Sequence, residues 1–221
     1  DAGGLGGSRE DVCLRMIARG RGLGLDPIVT WGVRAAHIVD RAGSGDPRAE
    51  VLGGIASGDL RVALAHAEVA DPYDVTGARQ TRARRDGDEW VIDGAKMLAL
   101  DAPSAGRLLV TAGIADEPGF GIFLVDASAA GLAMEAYPLI DATRAADIVL
   151  DGVRVSRDRL LASGEAAVAL VAEAVDRANL ALMAQAIGSM EASLTICGEY
   201  AKERKQFGQP IGKFQAIQHL A

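Results

Sequence analysis

A guanidinium, a flat aromatic edge and a side-chain amide gathered at one corner can grip a diphosphate joined to a base, and one stretch of this 221-residue chain offers all three. From Tyr200 to Gln215 it reads Tyr-Ala-Lys-Glu-Arg-Lys-Gln-Phe-Gly-Gln-Pro-Ile-Gly-Lys-Phe-Gln. Arg204 and Phe207 are spaced as neighbours on one helical face, and the Gly-Gln-Pro-Ile-Gly turn should fold Phe214 and Gln215 back toward them. A blander reading is available. Lys202, Arg204 and Lys205 would oppose the negative pole of their own helix while Phe207 and Phe214 fill a bundle corner. It accounts for the charges and leaves the aromatic and amide pattern unexplained.

The element that must carry this corner is a long helix. From about Glu165 to Arg204, apolar or small residues recur at Val168, Val171, Val175, Ala178, Leu182, Ala186, Met190, Leu194, Cys197 and Ala201, in steps of three or four. Such a helix would run roughly 60 Å and needs partners along its stripe. Only a short helix start follows Lys213, so further chain or other subunits are expected to cover it. The first residue, Asp1, is not Met, and the chain is expected to lack its true beginning.

Upstream, residues 8–19 read as a helix capped by Ser8, with Glu10 and Asp11 in its first turn. Asp26-Pro27 should start a second helix through His37 and Asp40, and Asp46-Pro47 a third that stops near Gly58. The pattern changes after Asp59. Residues 61–67, 80–84, 89–92, 107–112, 120–125, 132–137 and 147–150 read as short strands, with hairpin turns expected at Asp86-Gly87 and Asp93-Gly94. No helical pattern separates the strands, which predicts an antiparallel barrel or sandwich. The fold class is therefore α+β and multidomain. Residues 1–59 form the end of an N-terminal helical domain, 60–156 a middle antiparallel β-domain, and 157–221 the start of a C-terminal helical bundle, incomplete in this chain.

Composition narrows the partners. The residues are 49% hydrophobic and 24% charged, ample for buried cores. With 23 basic against 30 acidic residues the net charge is −7, so nucleic acid and anionic membranes are not expected partners. No apolar run is read as membrane-spanning and no signal peptide opens the chain. Cys13 and Cys197 stand far apart on helical patterns, which suggests reduced thiols and a cytoplasmic setting. No Cys/His set has metal spacing and no Gly-x-Ser-x-Gly elbow occurs. Gly3, Gly4, Gly6 and Gly7 follow no strand, which argues against a dinucleotide fingerprint.

The segment Arg-Lys-Gln-Phe-Gly-Gln-Pro-Ile-Gly-Lys-Phe-Gln-Ala-Ile-Gln resembles the signature that opens the C-terminal helical domain of the acyl-CoA dehydrogenases, which are FAD enzymes. Trp90-Val91-Ile92-Asp93-Gly94-Ala95-Lys96 is similar to their middle-domain hairpin, and Asp151-Gly152-Val153-Arg154-Val155 to the strand leading out of it. The likeness runs through nearly all of the chain. Ala63-Leu64-Ala65-His66-Ala67-Glu68 is most similar to the small-subunit-like branch associated with pimeloyl-CoA.

The resemblance implies a helical, β, helical domain order and a reaction that removes a proton α to a thioester carbonyl while a hydride passes from the next carbon to flavin N5. Arg204, Gln206, Phe207, Phe214 and Gln215 would contact the ADP half of FAD, held mainly by a neighbouring subunit. A homo- or hetero-oligomer, an acyl-CoA substrate and an electron-accepting flavoprotein are thereby implied. The flavin-ring side would be met by Leu64, Ala65, His66, Leu98 and Leu100. Here the chain departs from the family. The usual Thr-Glu-Pro and Gly-Ser-Asp loop is replaced by Ala65-His66-Ala67-Glu68-Val69-Ala70-Asp71, and Trp-Ile-Thr by Leu98-Ala99-Leu100. His66 reads first as a hydrogen-bonded strand histidine and second as a ligand contact, while His37 and His219 read as structural. The family's carboxylate base is not found. Ala181 to Gln185 carries no acid, Glu173, Asp176 and Glu191 read as solvent-facing or locally paired, and the base is expected beyond Ala221. The alternatives are a catalytically silent flavin-binding subunit, a flavin oxidase or monooxygenase, and a ligand-binding scaffold.

Overall fold

Ser8 and Asp11 start the first described helix with a reciprocal capping box, the Ser8 N–H donating to Asp11 Oδ2 at 2.7 Å and the Asp11 N–H to Ser8 Oγ at 3.2 Å. The structure is a computed structural model and describes residues 6–42, 45–77 and 79–219. Gly3, Gly4 and Ala221 lie outside them. Helix α1 spans Arg9–Arg21. The segment expected as a regular helix from Pro27 opens instead as a π-helical turn over Ile28–Ala35, becoming α2 at Ala36–Ala42. Pro27 supplies no capping side chain, and Ile28, Val29 and Thr30 crowd the first turn with branched side chains. Helix α3 spans Gly45–Ser57.

Eight strands follow: β1 (Val62–Ala65), β2 (Arg82–Asp86), β3 (Glu89–Leu100), β4 (Arg107–Ile114), β5 (Gly121–Asp126), β6 (Leu132–Pro138), β7 (Arg144–Ser156) and β8 (Leu160–Ala162). Their order is β6-β7-β3-β2-β4-β5-β8, with β1 also on β4. The expected purely antiparallel sheet is corrected to a mixed one. Strand β1 runs parallel to the first half of β4, Val62 opposite Arg107, and β2 runs parallel to its end, Arg82 opposite Gly113. One long central strand thus serves two short partners, and the β2–β3 hairpin lies in the connection that a parallel pairing needs.

The Asp86-Gly87 turn forms, with Asp86 opposite Glu89 and Gly87 at φ 64°. Asp93-Gly94, expected as a second turn, sits inside β3. The register against β7 shifts between Ile92 and Gly94, so the pair marks a β-bulge. A side chain at Gly94 would meet the Thr81 Cα at 2.6 Å, which leaves no room for any other residue. The bulge also aims Asp93 across the sheet, where its Oδ1 accepts the Gly152 N–H at 2.7 Å.

One face of the sheet closes on itself around Trp90, Ile92, Leu108, Val110, Phe123 and Ile148. The other face, with Leu64, Leu109 and Leu124, packs against Ile38, Val39, Val51, Ala167 and Val171 of the helices. Strand β4 is covered on both sides, which is why it reads as a continuous apolar run.

Helix α4 spans Gly164–Glu203, 40 residues, as its apolar period predicts. By length and composition it could also cross a membrane, so the reading that no apolar segment reaches that length is corrected. The start of α4 instead buries Ala167, Val171 and Ala174 in the helix-facing core.

The chain divides into two compact units, one formed by Leu25–Asn179 and the other by Gly7–Gly24 with the chain from Leu180 onward. In the second unit α1 lies close against α4. A Cβ at Gly20 would come within 2.0 Å of Gln185 O, and one at Gly188 within 1.9 Å of Ile17 O. Two glycines facing two backbones permit this approach, and the Ser189 hydroxyl adds a 3.0 Å bond to Gly20 O. Gly188→Ala should therefore destabilise the full-length protein by about 1–3 kcal/mol, read by urea denaturation. Ala at half-buried Gly198, where nothing lies within 4 Å of an added Cβ, should not.

Candidate functional site

Two neighbouring segments of the first unit carry the residues expected at the flavin-ring side, and a buried ion pair joins them. The Lys96 ammonium lies 2.6 Å from Glu68 Oε1, with the two residues 2% and 4% exposed. Lys96 Nζ also reaches His66 O and Thr111 Oγ1, each at 3.3 Å. Glu68 accepts in addition from the Gln80 and Thr81 amides. The Met97 N–H donates to Ala67 O at 2.9 Å, so residues 66–68 and 96–98 run side by side.

Burial alone pushes the Glu68 carboxyl up, but Lys96 and the two amides reverse this and hold it at about 2. Burial pulls the Lys96 ammonium down to about 8, against the opposing attraction of Glu68. Both groups are charged at neutral pH. Their pairing was not read from the sequence; the signal that could have found it is a lysine in β3 and a glutamate just after β1, each among Val, Ala and Leu.

His66 is the ring this network surrounds. Its Nδ1 lies 3.0 Å from Thr111 Oγ1, and its ring meets Phe120 edge-on at 5.4 Å. Burial first, then Arg79 and Lys96, lower its pKa to about 4. It is therefore neutral in ordinary conditions, and its buried Nε2 has no partner among the described residues. Arg79, 2% exposed, clamps the next loop through Asp74 O at 3.1 Å, Asp74 Oδ2 at 3.2 Å and Gly77 O at 2.9 Å.

Leu64 and Ala65 turn their side chains into the two cores, Leu64 toward the helices and Ala65 into the closed sheet. On β3, Leu98 takes φ 50°, a left-handed conformation uncommon for a leucine, where the register against β7 shifts again. Its N–H donates to Asp147 Oδ1 at 3.0 Å, and its side chain is 43% exposed. Leu100 is half-buried opposite Ala145.

In the second unit, α4 ends at Glu203 and a two-stranded hairpin follows, β9 (Lys205–Gln206) and β10 (Gln209–Pro210). Phe207 and Gly208 form its turn with φ of 51° and 79°, both left-handed. The expectation that Arg204 and Phe207 share a helical face is corrected here, because the helix has already ended. The hairpin still delivers the expected meeting of rings. Phe207 and Phe214 are edge-to-face at 6.2 Å, and Phe207 is 93% exposed. The Ile211 N–H bonds Arg204 O at 2.8 Å, tying the far side of the hairpin to the helix end. The Arg204 side chain is exposed and has no carboxylate partner among the described residues. Among the described residues the Gln206 side chain bonds Lys205 O, and Gln215 opens helix α5 (Gln215–Gln218). An unpaired guanidinium, two rings and an amide at one corner fit an anionic group attached to a flat ring.

Of the three acids of α4 weighed as bases, Glu173 and Asp176 are locally paired or exposed as the sequence suggests, while Glu191 is exposed and finds a distant partner. Glu173 pairs with Arg177 at 3.1 Å and lies 3.3 Å from His37, Glu191 pairs with Arg21, and Asp176 is exposed. Among the described residues no group of His, Cys, Asp and Glu could hold a metal. Cys13 and Cys197 are both free.

Residues 167–221 match the family model described as acyl-CoA dehydrogenase, C-terminal domain. The chain is 32% identical to the mitochondrial short-chain specific acyl-CoA dehydrogenase of Bos taurus, over 73% of this chain and 40% of that protein. Among solved structures it resembles a glutaryl-CoA dehydrogenase from Mycobacterium smegmatis, at a TM-score of 0.89 and 25% identity, over 99% of this chain and 57% of that one. It also resembles the ChsE4-ChsE5 complex from Mycobacterium tuberculosis, at 0.84 and 27%, over 99% and 57%. The chain spans less than half the length of these curated relatives, 40% for the bovine enzyme.

Acid should weaken the first unit through two of its groups. The folded His66 resists protonation until about pH 4 while the unfolded ring takes a proton near 6.5, so stability falls as pH drops through that window. Glu68 extends the loss from about 4.5 down to about 2. Thermal denaturation of the full-length protein from pH 7 to 4 should show a steeper fall than His66→Gln does. Separately, Lys96→Met strands a buried carboxylate and should cost about 3–5 kcal/mol at pH 7, partly recovered by adding Glu68→Met.

Proposed function

This chain belongs to the acyl-CoA dehydrogenase family, and from that membership we propose that the protein carrying it binds FAD and desaturates an acyl-CoA thioester between the carbons α and β to the carbonyl. The observation that supports the reading most directly is the corner after α4, where Arg204 is exposed and unpaired beside the edge-to-face Phe207 and Phe214. Arg204 would meet the diphosphate, while Gln206, Phe207, Phe214 and Gln215 would hold the rest of the ADP half. Bound FAD supplies the acceptor for the hydride that leaves the β carbon.

The chain's own residues then orient and hold. Leu64, Ala65 and His66 at the end of β1, with Leu98 and Leu100 on β3, would meet the ring side chiefly through backbone groups. Lys96 and Glu68 fix those two segments against each other. Neutral His66 would add no charge there. In the family the α proton is taken by a carboxylate, and the resemblance implies the same here. Glu173 and Glu191 are engaged with arginines, and following the family's commoner arrangement we place the base beyond Ala221. Electrons would pass on to an accepting flavoprotein, and the cofactor would be shared between subunits of a homo- or hetero-oligomer. The two free cysteines favour a cytoplasmic setting.

A second reading has its own support. Leu100 stands where the family's Trp-Ile-Thr segment has its Thr hydroxyl, and Ala65 to Asp71 carries no hydroxyl where the Thr-Glu-Pro loop has one, which favours a flavin-binding partner subunit that does not turn over.

The cofactor half of the proposal is tested by equilibrium binding of FAD to flavin-stripped full-length protein. Arg204→Gln and Phe207→Ala should each weaken binding by about tenfold or more without lowering the melting temperature of the apoprotein, since both side chains are exposed. Unchanged affinity in both variants would remove the corner from the site. Failure of the wild-type apoprotein to take up FAD would reject the proposal itself.

A further inference from the structure

The π-helical turn Ile28–Ala35 forms one wall of a cleft of about 660 Å³ in the first unit, whose other walls include Arg61, Asp101 and Arg144. Long π-helical runs are rare and recur at functional sites. This one presents Trp31 to the cleft, with the Arg61 guanidinium 5.0 Å above the ring centroid. Leu25 and Pro27 make the adjoining surface apolar.

Donors in and behind this cleft outnumber the acceptors. The Trp31 Nε1 is buried without a partner among the described residues, and so is Arg34 Nε one turn further along. The side chains of Arg61 and Arg144 form no ion pair among the described residues. The single carboxylate of the cleft, Asp101, is already engaged by the Thr30 hydroxyl at 2.6 Å. Asp101 is itself held in a left-handed conformation at φ 58°, its N–H bonded to Arg144 O at 2.8 Å. Burial lowers the pKa of Arg34, and Asp101 is the one group that opposes this. Buried donors without acceptors are uncommon in folded proteins and call for a partner.

We propose that this cleft is an oxoanion-binding site. It would take a small molecule bearing a carboxylate or a phosphate on an apolar or flat body, the anion set between Arg61 and Arg144, and the body laid along Leu25, Pro27 and the Trp31 face. A guanidinium already stacked on an aromatic ring keeps its edge free for bidentate contact with such a group. The site uses none of the residues assigned to FAD, and it does not depend on the proposed reaction.

The test is isothermal titration of the full-length protein with two probes, adipate for the carboxylate and adenosine diphosphate for the phosphate, beside the double variant Arg61→Gln/Arg144→Gln. FAD is present at saturation if the protein binds it, which keeps adenosine diphosphate off that site. Both arginines are exposed, so the variant should keep the wild-type melting temperature. At least one probe should bind saturably to the wild type and about tenfold or more weakly to the variant, with added salt weakening the wild type further. Adipate alone would assign a carboxylate ligand, and adenosine diphosphate alone a phosphate. No saturable binding of either probe, or equal binding by wild type and variant, would overturn the proposal.

Discussion

A lysine ammonium held 2.6 Å from a glutamate carboxylate, both almost wholly withdrawn from solvent, is the interaction on which the first unit depends. Such a pair contributes little net stability over an apolar pair of the same size, because desolvating two charges costs about as much as their attraction returns. Its effect is selective. Lys96 and Glu68 can be buried together only when the end of β1 lies beside the end of β3, and any other register strands one charge. The pair therefore sets the arrangement of residues 66–68 against residues 96–98, where the chain would meet the ring of a flavin. His66 is locked by the same constraint, since two neighbouring cations and its burial keep the ring neutral. The Arg79 clamp on Asp74 and Gly77 extends the fixed region into the next loop.

The second corner is built differently. There the backbone is over-determined and the side chains are left free: two successive left-handed residues turn the hairpin, and the Ile211 N–H closes it onto Arg204 O. Phe207 adopts φ 51° and is 93% exposed, with Phe214 as its ring partner. Contact with a bound group would offset that strain and exposure. A rigid loop presenting an unpaired guanidinium and a ring would lose little entropy on binding the proposed cofactor.

Much of this was legible in the sequence, and the limits follow from physics. The forty-residue period of α4, the Ser8 cap and the Asp86-Gly87 turn are local signals, and each is observed close to its expected bounds. Parallel pairing of β1 with β4 is not local; strands more than forty residues apart carry no mark of their register. Asp93-Gly94 has the composition of a turn, and only the partner strand β7 makes it a bulge. The π-helical turn and the short β8 depend on what packs over them. In the candidate site, Phe207 and Phe214 meet as their spacing suggested, although by way of a hairpin and not a helical face. Glu68 and Lys96 each lie in a segment quoted for the resemblance, but their pairing was missed because the two stand twenty-eight positions apart and nothing local links them.

The central claim is that the protein oxidises an acyl-CoA thioester, and anaerobic titration with a panel of acyl-CoA and dicarboxyl-CoA thioesters tests it most directly. The FAD-loaded full-length protein is followed by its visible flavin spectrum. Stoichiometric bleaching by at least one thioester is the result the account predicts. A flavin that stays oxidised with every thioester, in a protein that binds FAD tightly, would contradict catalysis and leave the subunit as a silent carrier of the cofactor.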